Sequence, residues 1–150
     1  MARRRALLAT GGLLAVAAAW WILDDPSDPA YHSDVAAIET ALPELGPLSD
    51  ARWVSNQDDE RSIPAPDVLL SGFARLEPGA VAELTAAEHF VAESPTVEEP
   101  LSDQTPEDAD WVRSEAFDQA LADDRSADYS GRLWFDEDSD TVYFTVLNPY

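Results

Sequence analysis

Apolar and polar positions along the chain change period several times, and each change marks an element. Ala6 to Leu23 is a run of eighteen residues without a charge. At 1.5 Å of rise per residue it reaches about 27 Å, close to the roughly 30 Å hydrocarbon core of a bilayer. Asp24 to His32 (DDPSDPAYH) has no apolar period and reads as a tether. Ser33 or Asp34 then caps a short helix with Val35, Ile38 and Leu42 on one face, stopped by Pro43 and Gly46-Pro47. Ala51 to Gln57 reads as a short strand and Asp58 to Pro66 as a polar, proline-bearing loop. Val68 to Leu76 is a second strand, with Val68, Leu70, Ala74 and Leu76 on one face and Gly72 marking a bulge or a close contact. Pro78 sits near the first turn of a helix from Ala80 to about Phe90, and Glu93 to Thr105 is a long acidic loop. Thr105-Pro106-Glu107-Asp108 reads as the start of another helix, with Ala109, Val112, Ala116, Phe117, Ala120 and Leu121 as its apolar stripe down to about Ala122. Tyr129–Asp136 and Thr141–Leu147 flank Glu137-Asp138-Ser139-Asp140 as a hairpin. Val142, Phe144 and Val146 face one way there, and Tyr143, Thr145 and Leu147 the other.

The order helix, strand, strand, helix, helix, strand, strand predicts an α+β fold: one N-terminal transmembrane helix, then a small antiparallel sheet with two or three helices on one face. The chain divides into a basic cytoplasmic n-region (1–5), a transmembrane anchor or signal segment (6–23), an acidic Pro-containing tether (24–32) and an extracytoplasmic α+β domain (33–150).

Arg3, Arg4 and Arg5 precede the apolar run and Asp24 and Asp25 follow it. Arginines before a span and none shortly after it place the N-terminus in the cytoplasm and the rest outside, as a single-pass protein of the cell membrane. Trp20 and Trp21 fall one turn before the aspartates, where the outer membrane interface lies, and this favours an uncleaved anchor. The alternative is secretion after cleavage near Ala19, since Ala17-Ala18-Ala19 forms an A-x-A site. Arg4-Arg5-Ala6-Leu7-Leu8 resembles the core of a twin-arginine export signal, with Arg3 where Ser or Thr would stand.

Charge narrows the partners. All nine basic residues are arginines, and the net charge is −21. The first 23 residues hold three arginines and no acid, so the remainder carries −21 − 3 = −24. That excludes nucleic acid and anionic head groups as partners and suits a cationic or envelope protein partner. The chain has no cysteine, so disulfides, thiol catalysis and cysteine zinc sites are excluded.

Candidate chemistry is sparse. Asp136, Asp138 and Asp140 alternate like the opening of an EF-hand loop, but that loop's glycine and glutamate positions hold Thr141 and Leu147, so a solvated turn is expected. His32 and His89 lack the spacing that brings two metal ligands together. Ser71-Gly72 lacks the preceding glycine of a nucleophile elbow. Of the external arginines, Arg61 stands out because prolines stiffen its loop, DERSIPAP, and could present it to a ligand. RSIPAP (Arg61–Pro66) and YSGRLWFDEDSDTVYFTVLNP (Tyr129–Pro149) resemble small membrane-anchored or secreted proteins of actinobacteria. No activity comes with that resemblance. The expected role is a non-enzymatic interaction module of the cell envelope, held in the membrane by residues 6–23, with no catalytic residue or cofactor assigned. The alternative is a secreted or anchored hydrolase using paired carboxylates.

The tether holds three of the acids and no arginine, so the domain itself carries −24 + 3 = −21. That charge opposes folding through like-charge repulsion, and salt shortens its reach from about 30 Å at 0.01 M to about 8 Å at 0.15 M. The external domain should therefore melt at a higher temperature as sodium chloride rises over that range. Calorimetry that gives a flat or falling midpoint would show that repulsion does not limit its stability.

Overall fold

The computed structural model describes residues 31–56, 67–87 and 89–150. Three short helices, α1 (Val35–Ala41), α2 (Ala80–Ala86) and α3 (Glu115–Asp123), accompany six strands. The strands are β1 (Leu48–Ser55), β2 (Leu69–Leu76), β3 (Val91–Ala92), β4 (Val112–Arg113), β5 (Ser130–Asp136) and β6 (Thr141–Leu147). They form one antiparallel sheet in the order β1-β2-β6-β5-β4-β3. The α+β class and the antiparallel sheet are as expected from the sequence.

The hairpin pattern accounts for the centre of the sheet. In β6, Val142, Phe144 and Val146 point to one face and are fully buried among Leu70, Ala74, Leu76, Leu133 and Phe135. All three helices cover that face: α1 brings Ile38 and Leu42, α2 brings Val81, and α3 brings Leu121 with Phe117 at the margin. The alternate residue Tyr143 is buried on the opposite face with Phe73, Trp134, Trp111 and Leu101. Among the described residues no α-helix lies over this second core. The long segment between β3 and β4 crosses the sheet instead, contributing Leu101, Val97 and Ala109. A strand buried on both faces reads as a nearly continuous apolar run, which is what TVYFTVL is.

The structure has two strands that the sequence reading did not predict, β3 and β4, and departs from it in four further places. The helix expected from Thr105 begins only at Glu115. Ser114 stops it from extending backwards: its side chain accepts a hydrogen bond from the Phe117 N–H (3.2 Å) in N-cap geometry. Upstream, strand-like alternation places Trp111 in the second core while Val112 packs against the first, and a helix, turning only about 100° per residue, would not send adjacent residues to opposite faces. Ala116 and Ala120 of the expected stripe are consequently exposed. The second departure is that α2 ends at Ala86 rather than Phe90. Phe90 turns into the core against Phe117 and Phe135, at ring distances of 6.0 and 5.4 Å. Third, β1 starts at Leu48, three residues earlier than Ala51, and has a register shift between Leu48 and Asp50. Fourth, the end of the assigned tether is docked on the domain. His32 exchanges backbone hydrogen bonds with Trp53 (2.7 and 3.0 Å) and stacks on its ring at 4.4 Å, so it covers part of the β1 edge. No helix among the described residues is long and apolar enough to cross a membrane. The 6–23 segment, with Trp20 and Trp21, lies outside those residues.

Gly72 is the close contact, not the bulge. A Cβ there would lie 2.4 Å from the Arg52 carbonyl oxygen and 2.6 Å from the Trp53 Cβ on the neighbouring strand. Gly72→Ala should therefore push β1 away from β2 and destabilise the fold by roughly 1–3 kcal/mol. Urea denaturation checks this, and an unchanged midpoint would mean that the two strands do not approach so closely.

Candidate functional site

The aspartates of the hairpin tip hold the fold together. Asp136, expected at a solvated turn, is only 2 % exposed. One of its oxygens accepts from the Asp110 N–H at 3.0 Å, and the other from the Ser139 N–H at 3.2 Å and the Ser139 hydroxyl. It thus ties the crossing segment to the turn. Asp140 reaches the opposite way, accepting from the Gly79 N–H (3.0 Å) and the Val81 N–H (3.3 Å) at the start of α2. Asp138 is exposed. Among the described residues no group of three or more His, Asp or Glu side chains is placed to hold a metal ion. Arg61 lies outside the described residues. His89 is exposed, and Ser71 is a half-buried strand residue whose hydroxyl lies 3.4 Å from that of Thr145.

Three other arginines are ion-paired. Arg52 pairs with Asp50. Arg125 donates from one nitrogen to the carbonyls of Ala41 (2.8 Å) and Pro149 (2.9 Å) and from another to Glu44 (2.6 Å), which joins the ends of α1 and α3 to the C-terminal segment. Arg113 donates to Asp118 at 2.8 Å and to Glu93 at 3.3 Å, and its guanidinium lies 5.7 Å from the Trp134 ring centre. Asp118, on α3, uses its other oxygen to accept the Leu133 N–H (3.1 Å), a donor on β5 beyond the reach of the two-residue β4. Burial pushes the Asp118 carboxyl above its ordinary value, against the Leu133 N–H, Arg113 and Arg132, which favour its anion. A groove of about 530 Å³ opens beside this cluster, between α3 and the Ser130–Arg132 edge.

A different groove, of about 470 Å³, lies on the second sheet face. The strand register explains it. Arg52, Phe73, Tyr143 and Trp134 form one row across four strands, and Leu101 and Trp111 pack against its aromatic rings. The adjacent row is Val54, Ser71, Thr145 and Arg132, small in the middle and beyond the crossing segment. The result is a trough floored by Val54, Ser71 and Thr145, with exposed Leu69 on one side and Thr96, Glu98, Glu99 and Leu101 as the opposite wall. Neither glutamate forms an ion pair among the described residues; Glu99 accepts only the Ser102 hydroxyl, at 2.5 Å. The sequence reading missed this trough. Its signal is the change on alternate strand positions from aromatic (Phe73, Tyr143) to small hydroxyl (Ser71, Thr145), which becomes meaningful once the strands are in register. Comparison of the chain with protein-family models, curated proteins and solved structures finds no match.

Because the folded Asp118 carboxyl holds its proton more tightly than the unfolded one, this group favours folding most at low pH. The contribution is full below the unfolded value of about 3.9 and is lost as pH rises through the higher folded value. The stability gap between the wild type and Asp118→Asn should accordingly narrow as pH rises from below about 3.9 through the higher folded value. Denaturation curves across that range check it, and a widening gap would reverse the assigned direction.

Proposed function

We propose that the protein is a membrane-anchored contact domain of the cell envelope, with its α+β part outside the membrane and no chemistry of its own. The observation that carries this reading is the second sheet face, where the described residues leave a trough floored by Val54, Ser71 and Thr145 between exposed Leu69 and the segment that bears Glu98 and Glu99. A concave surface of mixed apolar and polar lining is the kind that receives another chain. The location rests on the sequence: three arginines before an eighteen-residue uncharged run, a tryptophan pair at its end and aspartates beyond.

The hydrolase alternative needs two carboxylates facing a substrate with oxygens free to exchange protons. The two buried aspartates are poorly suited to that. Asp136 is held by two backbone N–H groups and a serine, and Asp118 by a backbone N–H and Arg113. Each is a connector between elements, and neither has an oxygen left without a donor.

In membranes from cells making the full-length chain, the protein should stay with the pellet after a high-salt wash, with its N-terminus upstream of Trp20. Salt removes proteins held by charge and leaves a buried span in place. A soluble form beginning at Trp20 would replace the anchor with a cleaved signal. A hydrolytic activity that disappears in a folded Asp118→Asn variant would move the assignment to the hydrolase.

A further inference from the structure

The trough on the second sheet face also has a specific electrostatic character. We infer that it docks an extended, lysine- or arginine-bearing segment of a protein partner, the basic side chain lying along the trough with its charge on Glu98 and Glu99. This deepens the contact-domain reading, and it rests on that reading only for the partner being a protein.

Shape is the first argument. The trough crosses β1, β2 and β6, and strands about 4.8 Å apart make that roughly 10 Å from side to side. An extended chain advances about 3.3 Å per residue, so the trough takes a basic side chain and one neighbour on either side. Its floor is Val54, Ser71 and Thr145, with Leu69 and Tyr143 at the sides. Long basic side chains suit such a surface because the methylene stem covers apolar groups while the head stays hydrated.

Charge is the second argument. Among the described residues two carboxylates and no arginine line the groove. Both glutamates are exposed, and neither is neutralised by an ion pair among the described residues. Elsewhere on the domain the chain does pair its acids with its few cations: Asp50, Glu44, Glu93 and Asp118 each meet an arginine. A second copy of this chain is the poorest occupant, since two surfaces that each belong to a strongly acidic domain repel.

The test uses the full-length chain in nonionic detergent and a labelled five-residue peptide alternating lysine and valine, with a glutamate-for-lysine counterpart. Anisotropy at about 0.15 M ionic strength should show binding of the lysine peptide alone, weakening as salt rises. Replacing Glu98 and Glu99 together by glutamine should weaken it about fivefold, while Glu77→Gln with Glu83→Gln, which removes the same charge from exposed positions beside and within α2, should change it less than twofold. Thr145→Arg should abolish binding by filling and recharging the trough. If that variant does not fold, the surface glutamate pair still decides the matter. Equal weakening by the two glutamate pairs would reduce the effect to net charge and overturn the proposal. So would equal binding of the acidic peptide, no binding at all, or self-association in sedimentation that Thr145→Arg abolishes. The assay needs no membrane, so a cleaved and secreted chain that still binds the lysine peptide would refute the anchor and leave this site standing.

Discussion

Burial of β6 on both faces is the constraint from which the rest of the architecture follows. With no cysteine to cross-link it, the domain depends on what this strand and its neighbours can bury. Val142, Phe144 and Val146 require cover on one side, and three short amphipathic helices supply it. Tyr143 requires cover on the other, together with Phe73 and Trp134. The chain has no fourth helix for that task among its described residues. A crossing segment with one short 3-10 turn, Ser102–Gln104, does it by inserting Leu101 and Trp111. A segment so poor in regular hydrogen bonding must be fixed at discrete points. Asp136 holding the Asp110 N–H is one, and Glu93 accepting from both Arg113 and the Trp134 indole is another. The trough exists because this cover is narrower than the sheet.

Many of the acids that give the domain its charge do internal work as hydrogen-bond acceptors. Asp34 accepts from Ala36 at the start of α1, Glu39 from Leu48 at the start of β1, Asp140 from Gly79 and Val81, and Asp118 from Leu133. Each is a backbone donor that the short elements leave unpaired, and a carboxylate is the strongest acceptor a side chain offers it. Short helices and two-residue strands create many such orphans. An aspartate-rich chain can therefore build a sheet protein from elements that are individually too short to satisfy their own ends. Arg125 solves the converse problem, donating to two carbonyls and one carboxylate at the junction of α1, α3 and the C-terminal segment. Its planar fork suits that geometry better than an ammonium would, and all the basic residues here are arginines.

Elements with a strong local period were legible from the sequence. The 129–147 hairpin, the face assignment in β6, the Asp34 cap and the close approach at Gly72 all follow from alternation, capping chemistry or the lack of a side chain. What was not legible depends on partners distant along the chain. Thr105-Pro106-Glu107-Asp108 has every local mark of a helix start, yet Trp111 gains more by joining Phe73 and Tyr143 across the sheet than by staying on a helix face. Asp136 reads as solvated because its neighbours are acids. It is buried because the Asp110 N–H, twenty-six residues earlier, comes to meet it. The wall of the trough and its floor are likewise brought together only by the sheet: Glu98 and Ser71 share no local pattern.

These two features, an acidic surface and an incomplete cover, bear on each other. Repulsion among the acids is offset where arginine or backbone donors meet them, and Glu98 and Glu99 have no such partner among the described residues. The segment carrying those glutamates is irregular, with one 3-10 turn at Ser102–Gln104. A cation seated between it and the sheet would relieve the repulsion and draw the segment against the trough at the same time, so occupancy would stabilise it. An apolar occupant could supply only the packing, and an anionic one would add to the strain. On that physical ground the chemistry of an occupant would be set less by the floor of the trough than by the two exposed carboxylates on its wall.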